Sequence, residues 1–332
     1  MFGFAVRLMI RPAFFFGVLA VSAVAASWLW VSAMLGQPGP HTDDGIVIIT
    51  AGSGHTAIRW KLQRAGVLHH MYHYDAARML ARNNFIPKAG EFLLPAGASL
   101  REIMAILHKG KSLQRRLTIL EGQTSAEIVA SLRAMPALTG TVDRVIEEGS
   151  LYPDTYFYTY ATARVDLILR MQKKMQITLA EAWVSRHANL PYRTRYEALI
   201  MASIIEKEAA TAADRLLVAA VLVNRMRRGM RLQSDPTVRY GIDVETDEPI
   251  NKADLQRKTP WNTYVITGLP KTPICNPGLE SIEAALHPAD SDFLYFVSDG
   301  FGGLRFAKTL DVHNKNVRLF RSVKAHDPKG PK

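Results

Sequence analysis

The chain is poor in the residues that cross-link a fold or chelate transition metals. Its 332 residues include one cysteine, Cys275, so no intramolecular disulfide can form and no cysteine-based zinc site can be assembled. There is no HExxH stretch, and no histidine spacing in the sequence supports a site for a metal or another cofactor. Gly52-Ser53-Gly54-His55 lacks the Lys-Ser/Thr ending of a phosphate-binding loop, which argues against nucleotide binding. No internal repeat stands out, and the one biased tract is a Lys-, Pro- and Gly-containing tail at 323–332, expected to be mobile. Acidic residues are also scarce: 30 Asp plus Glu face 41 Lys plus Arg, a formal charge of +11 that predicts an anionic partner. Nucleic acid, anionic lipid or an acidic polymer would each satisfy that charge. With 48% hydrophobic residues, disorder is not the default, and the length allows two or three domains.

Charge is missing most completely from 13–35, a run of 23 residues that exceeds the roughly 20 needed to cross a ~30 Å hydrocarbon core. Arg7 and Arg11 precede it, whereas 36–49 carries Asp43 and Asp44 and no Lys or Arg. This bias predicts a cytoplasmic N-terminus at 1–12, a transmembrane helix at 13–35, and everything later on the far side. A cleaved signal peptide is the alternative, with Ala23-Val24-Ala25 as its small-residue cleavage site. The apolar run continues through Trp28 and Trp30, residues suited to a membrane interface, which favours the anchor.

Beyond it, the Pro-Gly-Pro of 36–44 predicts a short stiff linker, and 45–112 reads as a small α+β module. Its elements are a strand at 46–50, a helix through Ile58, Leu62 and Ala65 stopped by Gly66, and a helix over 74–82. A strand within 88–94 and a helix capped by Ser99 and Glu102 that ends near Gly110 complete it. The region 113–322 is expected to be a mixed α+β domain. It begins with a strand at 113–120 and a helix capped by Thr124 and Glu127. An aromatic loop follows at 148–158, whose tyrosines either fill a domain edge or stack on sugar rings. Next come two helices over 195–228, broken near 210–213, then a hairpin of 295–297 with 305–307 and an amphipathic stretch from His313.

Within the first of those two helices, Glu208 lies three residues past Ile205, four past Ile204 and seven past Met201, in phase with an apolar stripe. Glu206 projects toward Leu199 and Ala202. A carboxylate on an apolar face loses solvation of its charged form and can hold a proton near neutrality, as a general acid must. Glycoside cleavage needs such an acid, and a substrate that attacks itself through its own hydroxyl needs no second carboxylate. The residues alone equally allow Glu208 to close the stripe and pair with Lys207 or a surface arginine.

A second constellation, Gln233, Ser234, Asp235, Thr237 and Tyr240, surrounds a short helical turn between Pro236 and Gly241. It suits either a helix cap or a polar groove. Asn262 and Tyr264 lie in a stretch mixing aromatics with an amide, a composition suited to sugar faces or to an ordinary loop. Ser203 with His287 makes a poor nucleophile and base, because the serine lies inside a helix with no nucleophile elbow.

Together MASIIEKEAA (201–210), LQSDPTVRYG (232–241), WNTYVITGLP (261–270) and TPICNPG (272–278) resemble the YceG-like family of endolytic murein transglycosylases. KAGEF (88–92), EGSLYPDTY (148–156), ALHPA (285–289) and YFVSDGFGG (295–303) extend the resemblance over nearly the whole chain after the anchor. It implies a single-pass inner-membrane protein with a LysM-like α+β module before a periplasmic YceG-like catalytic domain. The implied reaction is nonhydrolytic: the β-1,4 bond between N-acetylmuramic acid and N-acetylglucosamine breaks as the muramic 6-hydroxyl attacks, leaving a 1,6-anhydro end. The second glutamate of the EKE motif, Glu208 here, is the implied catalytic residue, with Glu206 as the fallback. Gln233, Ser234, Asp235, Thr237, Tyr240, Asn262 and Tyr264 are expected to line the substrate groove. One departure is Ala209, where the family often carries a small hydroxyl residue. The resemblance also implies ending nascent strands near the peptidoglycan synthases of the elongation or division machinery. Peptidoglycan stems and anionic lipid then account for the basic charge, with no nucleic acid as partner. Two other readings are a noncatalytic glycan-binding envelope scaffold and a hydrolytic muramidase.

Overall fold

The structure, a computed structural model, describes residues 2–81, 84–242 and 249–326. Arg82 and most of the expected 323–332 tail lie outside the described residues. The chain divides into two compact units, one running to Arg115 and including Thr159–Ala161, the other holding Arg116–Tyr158 and the residues from Thr162 onward.

In the first unit α1 (Phe2–Leu35) begins well ahead of the uncharged run, so Arg7 and Arg11 belong to the same helix. Its Phe14–Leu35 stretch is long and apolar enough to cross a membrane. Then follow β1 (Gly45–Ile49), α2 (His55–Arg64), α3 (Met71–Leu80), β2 (Gly90–Leu94) and α4 (Leu100–Lys109). The two strands pair antiparallel from Gly45 opposite Leu94 to Ile49 opposite Gly90. Period two then sorts their faces: Val47, Ile49, Phe92 and Leu94 are buried against Ile58, Leu62, Tyr74, Ile103 and Leu107, while Ile46 and Leu93 stay exposed. Ser99 and Glu102 form the expected capping box on α4.

The end of α1 is part of this core. Leu35 is buried with it, Val31 and Met34 pack against it, and Arg101 Nη2 donates to Ser32 O (2.8 Å) and Ser32 Oγ (3.0 Å). The segment after α1 lies on the module: Gly39 N–H donates to Gly97 O (3.1 Å), and Gly97 N–H donates to His41 O (2.8 Å).

The second unit starts within β3 (Arg115–Thr118) and continues with α5 (Ser125–Ala134), β4 (Thr155–Tyr158), α6 (Arg164–Val184), α7 (Arg195–Glu208) and α8 (Ala212–Arg227). They are followed by α9 (Asp235–Ile242), α10 (Lys252–Gln256), α11 (Leu279–Leu286), β5 (Tyr295–Ser298), β6 (Leu304–Ala307) and α12 (Leu310–His326). β3 joins β4, and β5 pairs antiparallel with β6 in the expected hairpin. The region 117–189, which reads as mixed in the sequence, holds a long helix. The 21-residue α6 buries Leu167, Ile168, Met171, Met175 and Leu179 on one stripe. Tyr156 and Tyr158 of the aromatic loop are buried, Tyr156 Oη donates to Tyr152 O (2.7 Å), and the Lys174 ammonium lies 4.8 Å from the Tyr152 ring centre. These tyrosines therefore fill an edge of the unit.

α7 is the core of this unit, with every residue from Ala198 to Ile205 buried. A helix apolar on all sides must be covered on all sides. α11 and α8 supply the cover through Ile282, Ala284, Ala285 and Leu286 and through Val218, Ala219 and Leu222. A Thr194–Glu197 capping box starts α7, and Thr211 caps α8 by accepting from Asp214 N–H (3.1 Å).

Candidate active site

α7 stops at Glu208 because Ala209 turns extended (φ −125°, ψ 127°). The stripe of Met201, Ile204 and Ile205 is fully buried, and Glu208 continues its phase to the rim, where it is partly exposed. Burial penalises the ionised carboxylate and pushes its pKa up to about 7. The Ser234 hydrogen bond opposes that rise, the Asp235 charge adds to it, and the Arg225 charge subtracts from it.

Ser234 Oγ donates to Glu208 Oε1 at 2.6 Å, the short length expected of a hydroxyl on a carboxylate. Ser234 is itself fixed from below by a buried hydroxyl network. Its N–H donates to Thr263 Oγ1 (2.9 Å), Thr237 Oγ1 donates to Ser234 O (2.6 Å), and the Thr237 and Thr263 hydroxyls lie 2.8 Å apart. Just before it, Gln233 takes a left-handed conformation (φ +53°), a strain of about 1–2 kcal/mol for a residue with a Cβ. Two contacts hold that geometry: Gln233 N–H donates to Thr263 O (3.2 Å), and Arg225 Nη1 donates to Gln233 Oε1 (3.4 Å). Arg225 is buried, with further donations to Leu294 O (2.6 Å) and Leu232 O (2.7 Å). Asp235, at the start of α9, accepts from Tyr264 Oη (2.6 Å); burial and then this carboxylate raise the Tyr264 pKa.

Two expected residues work elsewhere. Tyr240 Oη donates to Glu148 Oε2 (3.2 Å), and its ring meets Trp261 edge-on at 5.6 Å. Glu148 Oε1 in turn accepts from Ser125 N–H (2.8 Å), Gly149 N–H (3.3 Å) and Asn276 Nδ2 (3.3 Å). Burial raises the Glu148 pKa against these bonds. Asn262 is fully buried, with Nδ2 donating to the carbonyls of Asp254, Leu255 and Arg257 (3.2, 3.2 and 2.8 Å) and Oδ1 accepting from Tyr264 N–H (2.9 Å). Its amide is spent on tying the 254–264 loop, which places Tyr264.

Glu206 lies in a different environment. Its carboxylate accepts from Gly278 N–H (2.9 Å) and pairs with Arg215 (3.5 Å), both side chains being nearly buried. Arg215 also reaches Glu280 (2.5 Å). Lys207, a conceivable partner for Glu208, instead donates to Gly122 O (3.3 Å). Ser203 Oγ donates to Ile200 O (2.7 Å) in its own helix, and His287 pairs with Ser185 (3.2 Å), so the two make no catalytic pair. Among the described residues no cluster of three His, Cys, Asp or Glu side chains could hold a metal ion.

Sequence reasoning passed over Thr263, Arg225, Glu148 and Asn276. Arg225 carried a usable signal: it lies four residues past Val221 and three past Leu222, a charge in phase with an apolar stripe, as Glu208 is. Thr263 and Asn276 sat inside quoted motifs, but their roles depend on contacts with distant segments.

A model of the YceG-like family matches residues 47–319, most of the chain. The chain belongs to the YceG-like family. The endolytic murein transglycosylase of Bacillus subtilis strain 168 is 39% identical over 177 residues, 53% of this chain and 49% of that protein. That of Streptococcus pneumoniae strain D39 is 34% identical over 177 residues, 51% of this chain and 31% of that protein. The match thus spans about half the length of the first relative and under a third of the second. A crystal structure of a yceG-like protein from Listeria monocytogenes aligns with a TM-score of 0.51 at 31% identity, covering 82% of this chain and 98% of that one.

In this YceG-like chain the separate motifs meet around α7. LQSDPTVRYG and WNTYVITGLP build the Ser234 network, while EGSLYPDTY and TPICNPG interlock on the Glu206 side. There Asn276 Oδ1 accepts from Leu151 N–H (2.7 Å). Gly149 has φ +77°, and a Cβ on it would come within 2.7 Å of Pro273, so only glycine fits.

Proposed function

We propose that this protein is an endolytic lytic transglycosylase of peptidoglycan, with Glu208 as its single acid and base. The observation that carries the reading is the Glu208 carboxyl itself: partly accessible, held by Ser234, and raised by burial to a pKa of about 7. A group poised there is protonated often enough to donate and ionised often enough to accept. Glu208 gives its proton to the glycosidic oxygen as the bond from the muramic C1 breaks. The carboxylate then takes the proton of the muramic 6-hydroxyl as O6 bonds to C1. The 1,6-anhydro ring closes, no water is consumed, and Glu208 ends protonated again. The names of the Bacillus and Streptococcus relatives support this substrate and outcome.

Ser234 holds the carboxylate, Gln233, Thr237, Asp235 and Tyr264 shape the groove around it, and Asn262 and Tyr240 set the loops that present them. The strand, helix, helix, strand order of β1, α2, α3 and β2 supports a LysM-like glycan-binding module at 45–112. The Phe14–Leu35 helix supports a single-pass inner-membrane anchor with a cytoplasmic N-terminus and a periplasmic catalytic domain. In that place the enzyme ends nascent strands beside the synthases.

The test is to incubate the detergent-solubilised full chain with uncrosslinked glycan strands and analyse the ends by mass spectrometry. Anhydro ends that disappear with Glu208→Gln are expected. Reducing ends alone would mean a hydrolase, with Asp235 the nearest candidate for a second carboxylate. Glycan retention without turnover, unchanged by Glu208→Gln, would mean a scaffold.

A further inference from the structure

We propose that the apolar pocket where the end of α1 meets α3 and α4 takes a phospholipid acyl chain from the leaflet on the module's side of the membrane. This rests on reading Phe14–Leu35 as a membrane span. The pocket measures about 570 Å³, and its walls include Trp28 of α1, Leu80 of α3, Phe85, and Met104 and Ala105 of α4. That volume is in the range of small-molecule sites, whereas an α-helix about 10–12 Å across needs a groove along its length.

Depth selects the occupant. Trp28 lies seven residues before Leu35, which at 1.5 Å per residue places it roughly 10 Å inside the end of the span. A cavity lined by Trp28, Ser32 and Leu35 therefore runs from the hydrocarbon to its boundary with the headgroups. Ser32, Asn84, Arg101 and His108 are the polar members of the lining and the rest is apolar, a surface that suits acyl chains, the solvent at that depth. The pocket is held in register with the membrane because Leu35 is locked into the module core and Arg101 is bonded to Ser32. Those bonds also place the exposed Arg101 guanidinium, a pocket-lining group, beside Ser32, one turn beyond Trp28 toward the headgroups. There it meets the phosphodiester that every phospholipid carries.

The experiment uses the full chain reconstituted in phosphatidylcholine and phosphatidylglycerol vesicles doped with a phospholipid bearing a diazirine on its acyl chain. After irradiation, label is located by mass spectrometry of tryptic peptides. Label is expected in 79–82 and 102–109 as well as in the span. Ala105→Trp, which fills the pocket from an exposed position, should lower label in 79–82 about tenfold, and Arg101→Glu, which merges 102–109 into a tryptic peptide of 89–109, should lower label in 79–82 and in that merged peptide about threefold. Both variants are first matched to the parent by melting temperature. Label in the span with none in either module peptide, or with Ala105→Trp unchanged, overturns the pocket. Crosslinks at these residues to a second copy of the chain overturn it too. An unlabelled span overturns the membrane reading instead, and none of these outcomes bears on Glu208.

Discussion

On one side of the last turn of α7, Glu206 is clamped between Arg215 and the Gly278 amide, in the region where the 122–125, 148–151 and 275–278 segments interlock. On the other side Glu208 faces the rim, where a serine hydroxyl meets it and Asp235 adds a like charge. The two residues are chemically identical and separated by one lysine. What separates their roles is what distant segments present to them: a guanidinium makes a brace, whereas a hydroxyl beside a second carboxylate leaves a group that can exchange its proton. Helical phase turns the two acids of EKE to different faces, and the distant segments decide what each carboxylate meets there.

The strongest attempt to break this contrast is Glu208→Gln, expected to lower glycan cleavage about a thousandfold with the fold intact. The same variant carries a stability signature. The native carboxyl, at about 7, binds its proton more tightly than the ordinary 4.5 of an unfolded chain. Its contribution to stability is therefore full below about 4.5 and lost as pH climbs through about 7. Glu208→Gln should remove that loss, gaining about 1–3 kcal/mol over the parent between pH 5 and pH 8 in urea titrations. Full activity in this variant would end the assignment.

Glu206→Gln should do the converse. It leaves a nearly buried Arg215 with Glu280 alone, destabilising the fold by about 2 kcal/mol in urea melts while folded molecules keep cleavage within about threefold. If cleavage vanishes and stability does not, the two roles are reversed. Ser234→Ala should cost about tenfold in rate, and it removes a bond that favours the ionised form, so the alkaline limb of the pH–rate profile moves up. Asp235→Asn keeps an acceptor for Tyr264 but removes the like charge, so the same limb moves down, by less than about one unit. Both limbs moving the same way would mean that the titration belongs to another group.

Much of this was legible in the chain because the signals were local. The capping boxes at Ser99 and Thr124 fix two helix starts, and helical phase alone chose Glu208 over Glu206. What stayed hidden depends on contacts between residues far apart in sequence. Ser234 reaches Glu208 across 26 positions and Asn276 reaches Gln123 across 153, distances at which pattern carries no register. Asn262 looked like a sugar ligand by its chemistry, and only the three carbonyls around it reveal an amide already in use. For the same reason nothing in the Pro-Gly-Pro of the 36–44 linker announces its hydrogen bonds to Gly97.

The docking of Leu35 and Ser32 onto the module has a consequence for how the protein is made. Burying one leucine contributes about 1.5–3 kcal/mol, a sizeable share of what a domain of this size has to spare. Ribosomes deliver α1 first and the module afterwards. The module completes its core only around the end of that helix, so the placement of α1 becomes part of how 45–112 folds.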